Sequence, residues 1–294
     1  MKLFFFIISF FSTGISYCQI NVFDSTRENL PVPCVVENAM PLINDAYHNG
    51  QAGEKAKVAE VDCSRAYYCL QTRQYATTDN QVNKLKKFNA SSIWLTENTE
   101  QNGVIDTNYQ RIQFHIEKVM RSQTDSNTYI IVGKSKVKNN ICRFTGTIKL
   151  LSFFYTNCED ISNTKCGELF GRYIFYEDSS QQHSGVFQGI MDCMVLLDND
   201  KMKIVLDESL DGADGYWNRT YVGTWKSYHS QQAKKCIWGD YRLPFTVGFD
   251  CGDGEMMICD KYVKNGWQSF NDQTEYKEIS PGRWTLKNKW WLSK

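Results

Sequence analysis

The clearest order in the chain is a hydrophobic period of two. Arg111 to Glu117 sets Ile112, Phe114 and Ile116 against Arg111, Gln113, His115 and Glu117, the signature of a strand with one buried face. Ile141 to Phe154 places Cys142, Phe144, Gly146, Ile148 and Leu150 on a common face, and Lys201 to Asp207 alternates Met202, Ile204 and Leu206 with Lys203 and Val205. Further strand-like runs cover Ser91–Glu97, Thr128–Val137, Leu169–Tyr176 and Gly185–Leu197. Turn signals separate them at Lys138-Asn139-Asn140, through Asp178–His183, and at Asp198-Asn199-Asp200. The densest stretch is Tyr221–Phe245, where two aromatic-rich runs flank the polar His229–Lys235 as a hairpin. Tyr221, Gly223, Trp225 and Ser227 share one face of the first run. In the second, Cys236, Trp238, Asp240 and Arg242 oppose Ile237, Gly239 and Tyr241.

About nine strands at short spacing, with no long helix among them, predict an all-β protein. The expected fold is an antiparallel meander closed into a lipocalin-like barrel or folded into a sandwich. A small recurrence favours closure. Phe144, Gly146 and Ile148, then Phe187, Gly189 and Met191, then Tyr221, Gly223 and Trp225 each set a glycine between an aromatic and a large apolar residue on one face. Curved sheets need such bare backbone where strands bend or a ring lies over them.

Before Asn89 the pattern is indistinct. Pro31, Pro33 and Pro41 interrupt it, and only Gln81–Phe88 has helical spacing, with Val82, Leu85 and Phe88 on one side. The expected organisation is a poorly defined N-terminal arm or small subdomain over 19–90, the barrel or sandwich over 91–270, and an aromatic tail over 271–294. Trp284, Trp290 and Trp291 of that tail should pack back on the body.

Residues 1–18 change the picture of where the protein works. Lys2, the apolar run Leu3–Phe11 and the small, polar exit Ser12–Cys18 have the layout of a secretory signal peptide. The run is shorter than the roughly 20 residues a spanning helix needs. Ser16 and Cys18 suit cleavage near Cys18-Gln19, while lipidation at Cys18 is opposed by the bulky Tyr17 before it. The expectation is a secreted, periplasmic or envelope protein that does not span the membrane. Charge is balanced, with 33 basic and 33 acidic residues, which argues against nucleic acid as partner because phosphate binding requires a basic surplus.

Eleven cysteines in an exported chain permit extensive pairing. Cys63 with Cys69, Cys158 with Cys166, and Cys251 with Cys259 each close a short loop, whereas Cys142, Cys193 and Cys236 sit in strands as candidate buried thiols. No CxxC occurs, which removes the usual zinc-ribbon and thioredoxin-like signatures.

Candidate chemistry thins out on inspection. Gly133-Lys134-Ser135 lacks the earlier glycine of a phosphate loop, and a strand follows it where the motif requires a helix. His115 and Glu117 form an HxE pair with no third ligand nearby, and the four histidines are scattered. No GxSxG is present. The acidic loops Asp207–Gly215 and Asp250–Glu255 lack EF-hand spacing, leaving Asp211 or Asp214 as candidates for a structural calcium only. Glu117, Asp192, Asp240 and Glu255 could serve carboxylate hydrolysis only if two of them face one another. No catalytic residue, metal site or cofactor is therefore assigned.

The segments YVGTW, CIWGDYR and FDCGDGE, with KNGW at Lys264–Trp267, resemble an uncharacterised family of exported proteins from Bacteroides-type bacteria. The resemblance covers about Ser91–Phe270 and carries no activity or site with it. The meander is also similar to calycin-like barrels such as lipocalins, although Gly223-Thr224-Trp225 falls near the end where the lipocalin Gly-x-Trp belongs to the first strand. The leading functional expectation is a non-catalytic barrel binding a small molecule, glycan or peptide at one mouth. Tyr221, Trp225, Trp238 and Tyr241 would supply apolar contact, and Asp240 and Arg242 polar anchoring. Aside from binding, an Asp240–Arg242 pair could simply buttress the rim. The alternatives are an envelope interaction protein with a fully packed barrel and an envelope hydrolase using carboxylates.

Overall fold

The computed structural model describes residues 80–292 apart from 98, 157–164, 210–215, 231, 245, 247 and 281–282. The signal-like segment, most of the N-terminal arm, Cys63, Cys69, Cys158, Asp211 and Asp214 lie outside the described residues.

Nine strands make one antiparallel sheet: β1 (Gln101–Ile105), β2 (Gln110–Arg121), β3 (Thr128–Val137), β4 (Asn140–Thr156), β5 (Lys165–Glu177), β6 (Gly185–Asp198), β7 (Lys203–Leu206), β8 (Trp217–Ser227) and β9 (Ala233–Tyr241). Strands β1 to β6 pair in succession. Then β6 pairs with β8, β8 with β9, and β9 returns to β1, which closes a barrel of eight strands. Strand β7 hangs outside that ring on Val195–Asp198 of β6. Of the two all-β expectations, the barrel is the one formed.

Closure depends on the recurrent glycines. Gly189 of β6 lies opposite Gly223 of β8. A Cβ on Gly223 would stand 2.0 Å from the Gln188 carbonyl oxygen and 2.6 Å from the Tyr173 hydroxyl. At Gly146 the clash would be with the Ile174 carbonyl oxygen at 1.9 Å. Backbone meets backbone at these points, so the sheet coils where no side chain could be accommodated.

One expected strand is absent and one unexpected strand is present. Ser91–Glu97 is not extended: Ser91–Ile93 is a 3-10 turn. The missed strand is β1, QNGVI, which is buried on both faces and so shows no exposed–buried alternation. Its Gly103 packs against the backbone of Trp238.

Residues 80–96 plug one end of the barrel. Val82–Lys87 forms a 3-10 helix, in line with the spacing of Val82, Leu85 and Phe88, and those side chains join Ala90, Ile93 and Trp94 in the interior core. Gln81 N donates to Phe153 O at 2.8 Å, and Ala90 N to the Tyr129 hydroxyl at 3.1 Å. The Trp94 ring meets Tyr129 edge-on at 4.6 Å. The last part of the expected arm is thus barrel core.

The chain after Leu243 wraps the outer wall as a collar containing α1 (Asp260–Val263), α2 (Gln268–Asn271) and the hairpin β10 (Tyr276–Ser280) with β11 (Arg283–Leu286). Leu243, Phe249, Ile258, Tyr262 and Trp267 pack on the outward side chains Val104, Tyr109, Val222 and Ile237. Trp290 and Trp291 form a smaller cluster with Leu286. The collar buries Arg111, Gln113 and His115, the face that alternation alone assigns to solvent. It also begins well before the tail boundary expected at 271.

Candidate functional site

The six residues singled out from the sequence do not meet at one site. Tyr221 and Trp238 point into the lumen and are fully buried, their rings stacked at 4.7 Å and 6°. The other side of Trp238 stacks on Phe114 at 4.0 Å and 17°. Tyr173 and Phe187 close edge-on around it at 5.0 and 5.9 Å. These rings fill the middle of the barrel, as side chains do in small barrels that enclose no ligand. Burial drives the Tyr173 and Tyr221 phenols well above their ordinary pKa. Four polar ring atoms in this core have no hydrogen-bond partner: Trp94 Nε1, Tyr173 Oη, Tyr221 Oη and Trp238 Nε1.

Trp225 lies at the end opposite the plug, half-buried, with its indole N–H donating to Glu177 Oε2 at 2.9 Å. Glu177 is the residue that sequence reasoning missed. It ends β5 facing inward, where Gly185 N also donates to Oε2 at 2.8 Å and the Ser135 hydroxyl donates to Oε1. Burial raises its pKa against those hydrogen bonds. Cys142 sits against the same carboxyl, and burial pushes its thiol up to about 12. The signal that could have revealed Glu177 is its inward register with Tyr173 and Phe175. A carboxyl in that row requires donors from neighbouring strands.

Asp240 lies at the plugged end, and its partner is Arg219 rather than Arg242. A bulge between Asn218 and Tyr221 in β8, with Arg219 at φ +42°, turns the guanidinium inward. There Arg219 holds Asp240 with two nitrogens and donates to Ile93 O at 3.2 Å and Leu95 O at 3.1 Å, tying the plug to the wall. Gln101 Nε2 completes the set, donating to Asp240 Oδ1 at 3.0 Å. The rim buttress expected of Asp240 exists, then, but a bulge chose its cation.

Tyr241 ends β9 opposite Trp217, and Arg242 leaves the barrel. Tyr241, at φ +60° and 44% exposed, turns the chain outward and lies 5.1 Å from Tyr216. Arg242 pairs with Asp250 and donates to the carbonyl oxygens of Gly252 at 3.0 Å, Asp253 at 3.1 Å and Gly254 at 2.6 Å. The Cys251–Cys259 disulfide closes this loop. The guanidinium thus satisfies a cluster of carbonyls turned in by the loop.

The remaining candidates are also separated. His115 Nδ1 lies 2.8 Å from Thr99 O and 2.9 Å from the Thr96 hydroxyl, and its ring stacks on Trp291 at 4.0 Å under the collar. Glu117 reaches Lys134 at 3.8 Å. Glu255 is exposed on the Arg242 loop. Asp192 faces outward on β6 near Glu168 of β5, whose carboxyl burial and the Asp192 charge raise to about 8. No group of three or more His, Cys, Asp or Glu side chains among the described residues is placed to hold a metal ion.

The class this architecture defines is a closed, eight-stranded, antiparallel β-barrel with a plugged end and an outer collar. No family, no curated protein and no solved structure matches the chain. Among the described residues no helix is long and apolar enough to cross a membrane.

Proposed function

We propose that the protein is an exported, non-catalytic scaffold of the cell envelope, a rigid barrel that engages partners through its outer surface. The observation that carries this reading is the ring stack Phe114–Trp238–Tyr221, which occupies the lumen where a lipocalin-type ligand would sit. The plug supports it by filling the adjoining end with Leu85, Phe88, Ile93 and Trp94. Export is supported by the layout of residues 1–18 and by the Cys251–Cys259 bridge, since disulfides persist in oxidising compartments. Eight strands in up-and-down order support the similarity to calycin-like barrels.

A titration with a naphthalene-type apolar probe or a long-chain fatty acid tests the reading through tryptophan emission. The scaffold predicts no saturable change. A second reading, ligand binding at the mouth, is favoured by one observation: Trp225 remains half-exposed beside the buried Glu177 carboxyl. A one-to-one saturable change that Trp225→Ala abolishes would select it over the scaffold.

A further inference from the structure

The β10–β11 hairpin has two unlike faces. Tyr276 and Leu286, paired in register, turn toward the Trp290–Trp291 cluster. The next pair, Lys277 and Thr285, lines an open groove of about 570 Å³ together with Ile279, Lys287, Asn288, Lys289 and Leu292, and Leu286 reaches its edge. Among the described residues no acidic side chain lines it, and strand alternation puts Glu278 on the face opposite Lys277. Ile279 and Leu292 are 52% and 72% exposed, among the most exposed large apolar side chains of the described residues.

Building on the scaffold reading above, we propose that this hairpin docks on the surface of an anionic phospholipid bilayer. Lys277 and Lys287 would meet phosphate headgroups while Ile279 and Leu292 enter the boundary with the acyl chains, the division of labour of interfacial elements. A soluble polyanion would leave the two aliphatic side chains in water. A stable protein interface takes about 20–30 residues a side, far more than the eight that line this groove.

The test is co-sedimentation of the full chain with vesicles of phosphatidylglycerol in phosphatidylcholine, across a range of salt. The expected result is binding that requires phosphatidylglycerol and falls with salt. Lys277→Gln and Lys287→Gln should each lower the partition coefficient roughly fivefold. Ile279→Ser and Leu292→Ser should each weaken binding by a similar factor at unchanged charge. Lys84 and Lys86, exposed on the plug, serve as the charge control. An equal loss from Lys84→Gln/Lys86→Gln would reduce the effect to net charge and overturn the proposal. Absence of binding to phosphatidylglycerol vesicles at low salt would also overturn it, as would a full response to a soluble polyanion that Ile279→Ser leaves intact. A barrel that excludes the apolar probe yet ignores vesicles removes the hairpin proposal alone; a probe-binding lumen removes the scaffold reading instead.

Discussion

The two faces of β2 are buried in opposite ways. Inward, Ile112, Phe114 and Ile116 enter a core of stacked rings in which four polar ring atoms are unpartnered. Outward, Arg111, Gln113 and His115 are covered by the collar, and there the polar groups are matched. Arg111 donates to Asn102 at 2.7 and 2.9 Å, to Glu275 at 2.7 and 2.8 Å, and to Glu100 at 3.3 Å. Gln113 Nε2 donates to Glu100 at 2.7 Å, and the Trp290 indole reaches the same carboxyl. The lumen is stabilised by apolar area and tolerates a few unmet N–H and O–H groups. Under the collar, buried charge must be paired, because desolvation of a lone ion outweighs what packing returns. The first arrangement supplies stability. The second also specifies where the collar sits.

The largest break in this contrast should come from Trp238→Ala, which removes the ring shared by both stacks. We expect a loss of about 3–5 kcal/mol in chemical denaturation. Phe114→Ala should open an apolar cavity that takes up benzene, which the wild type excludes. Next, Arg111→Met should cost about 3 kcal/mol, since Glu100 and Glu275 stay behind without their cation. Its sign of local origin would be earlier proteolysis in the collar at unchanged barrel circular dichroism.

The pH response separates the two regions further. Burial holds the His115 imidazole below its usual pKa, opposed by Glu117 and the Thr99 carbonyl and reinforced by Lys134 and Lys289. The unfolded chain therefore takes up the proton first, and stability is lost as pH falls below about 6.5. Glu100 acts in the opposite direction, because burial raises its pKa and its ionisation costs stability as pH rises above its usual range. His115→Phe keeps a ring on Trp291 and removes that titration. It should flatten the acidic slope, read from denaturation midpoints between pH 7 and 5. The smallest expected effect sharpens the description of the lumen: Tyr221→Phe and Tyr173→Phe should change stability by less than about 0.5 kcal/mol or raise it, because an unpartnered hydroxyl contributes nothing when removed. A loss above about 1 kcal/mol in thermal unfolding would mean that the hydroxyls are bridged by buried water.

Much of the barrel was legible because alternation survives wherever one face is apolar and inward. Strands β2 to β9 follow that rule, and the glycines at 146, 189 and 223 marked the coiled positions in advance. Strand β1 was not legible, since its inward row Gln101–Gly103–Ile105 is held by contacts from β9 and its outward row is hidden by the collar. For the candidate residues, strand alternation and tertiary contacts contribute differently. The inward direction of Tyr221, Trp225, Trp238 and Asp240 follows from a period of two. Tyr241 is outward by the same period; that Arg242 leaves the inward row depends on the positive φ at Tyr241 and on a loop closed by Cys251–Cys259.

By itself, then, the sequence determined the all-β class, the inward rows of most strands other than β1 and the short Cys251–Cys259 bridge, because these rest on local periodicity and short loop closure. The tertiary structure alone decided that the lumen is filled, that Arg219 and not Arg242 pairs with Asp240, and that a polar face of β2 is buried. The physical reason is shared by all three. Each depends on which distant segments meet, and a one-residue bulge or a returning collar changes those partners without altering the pattern along the chain.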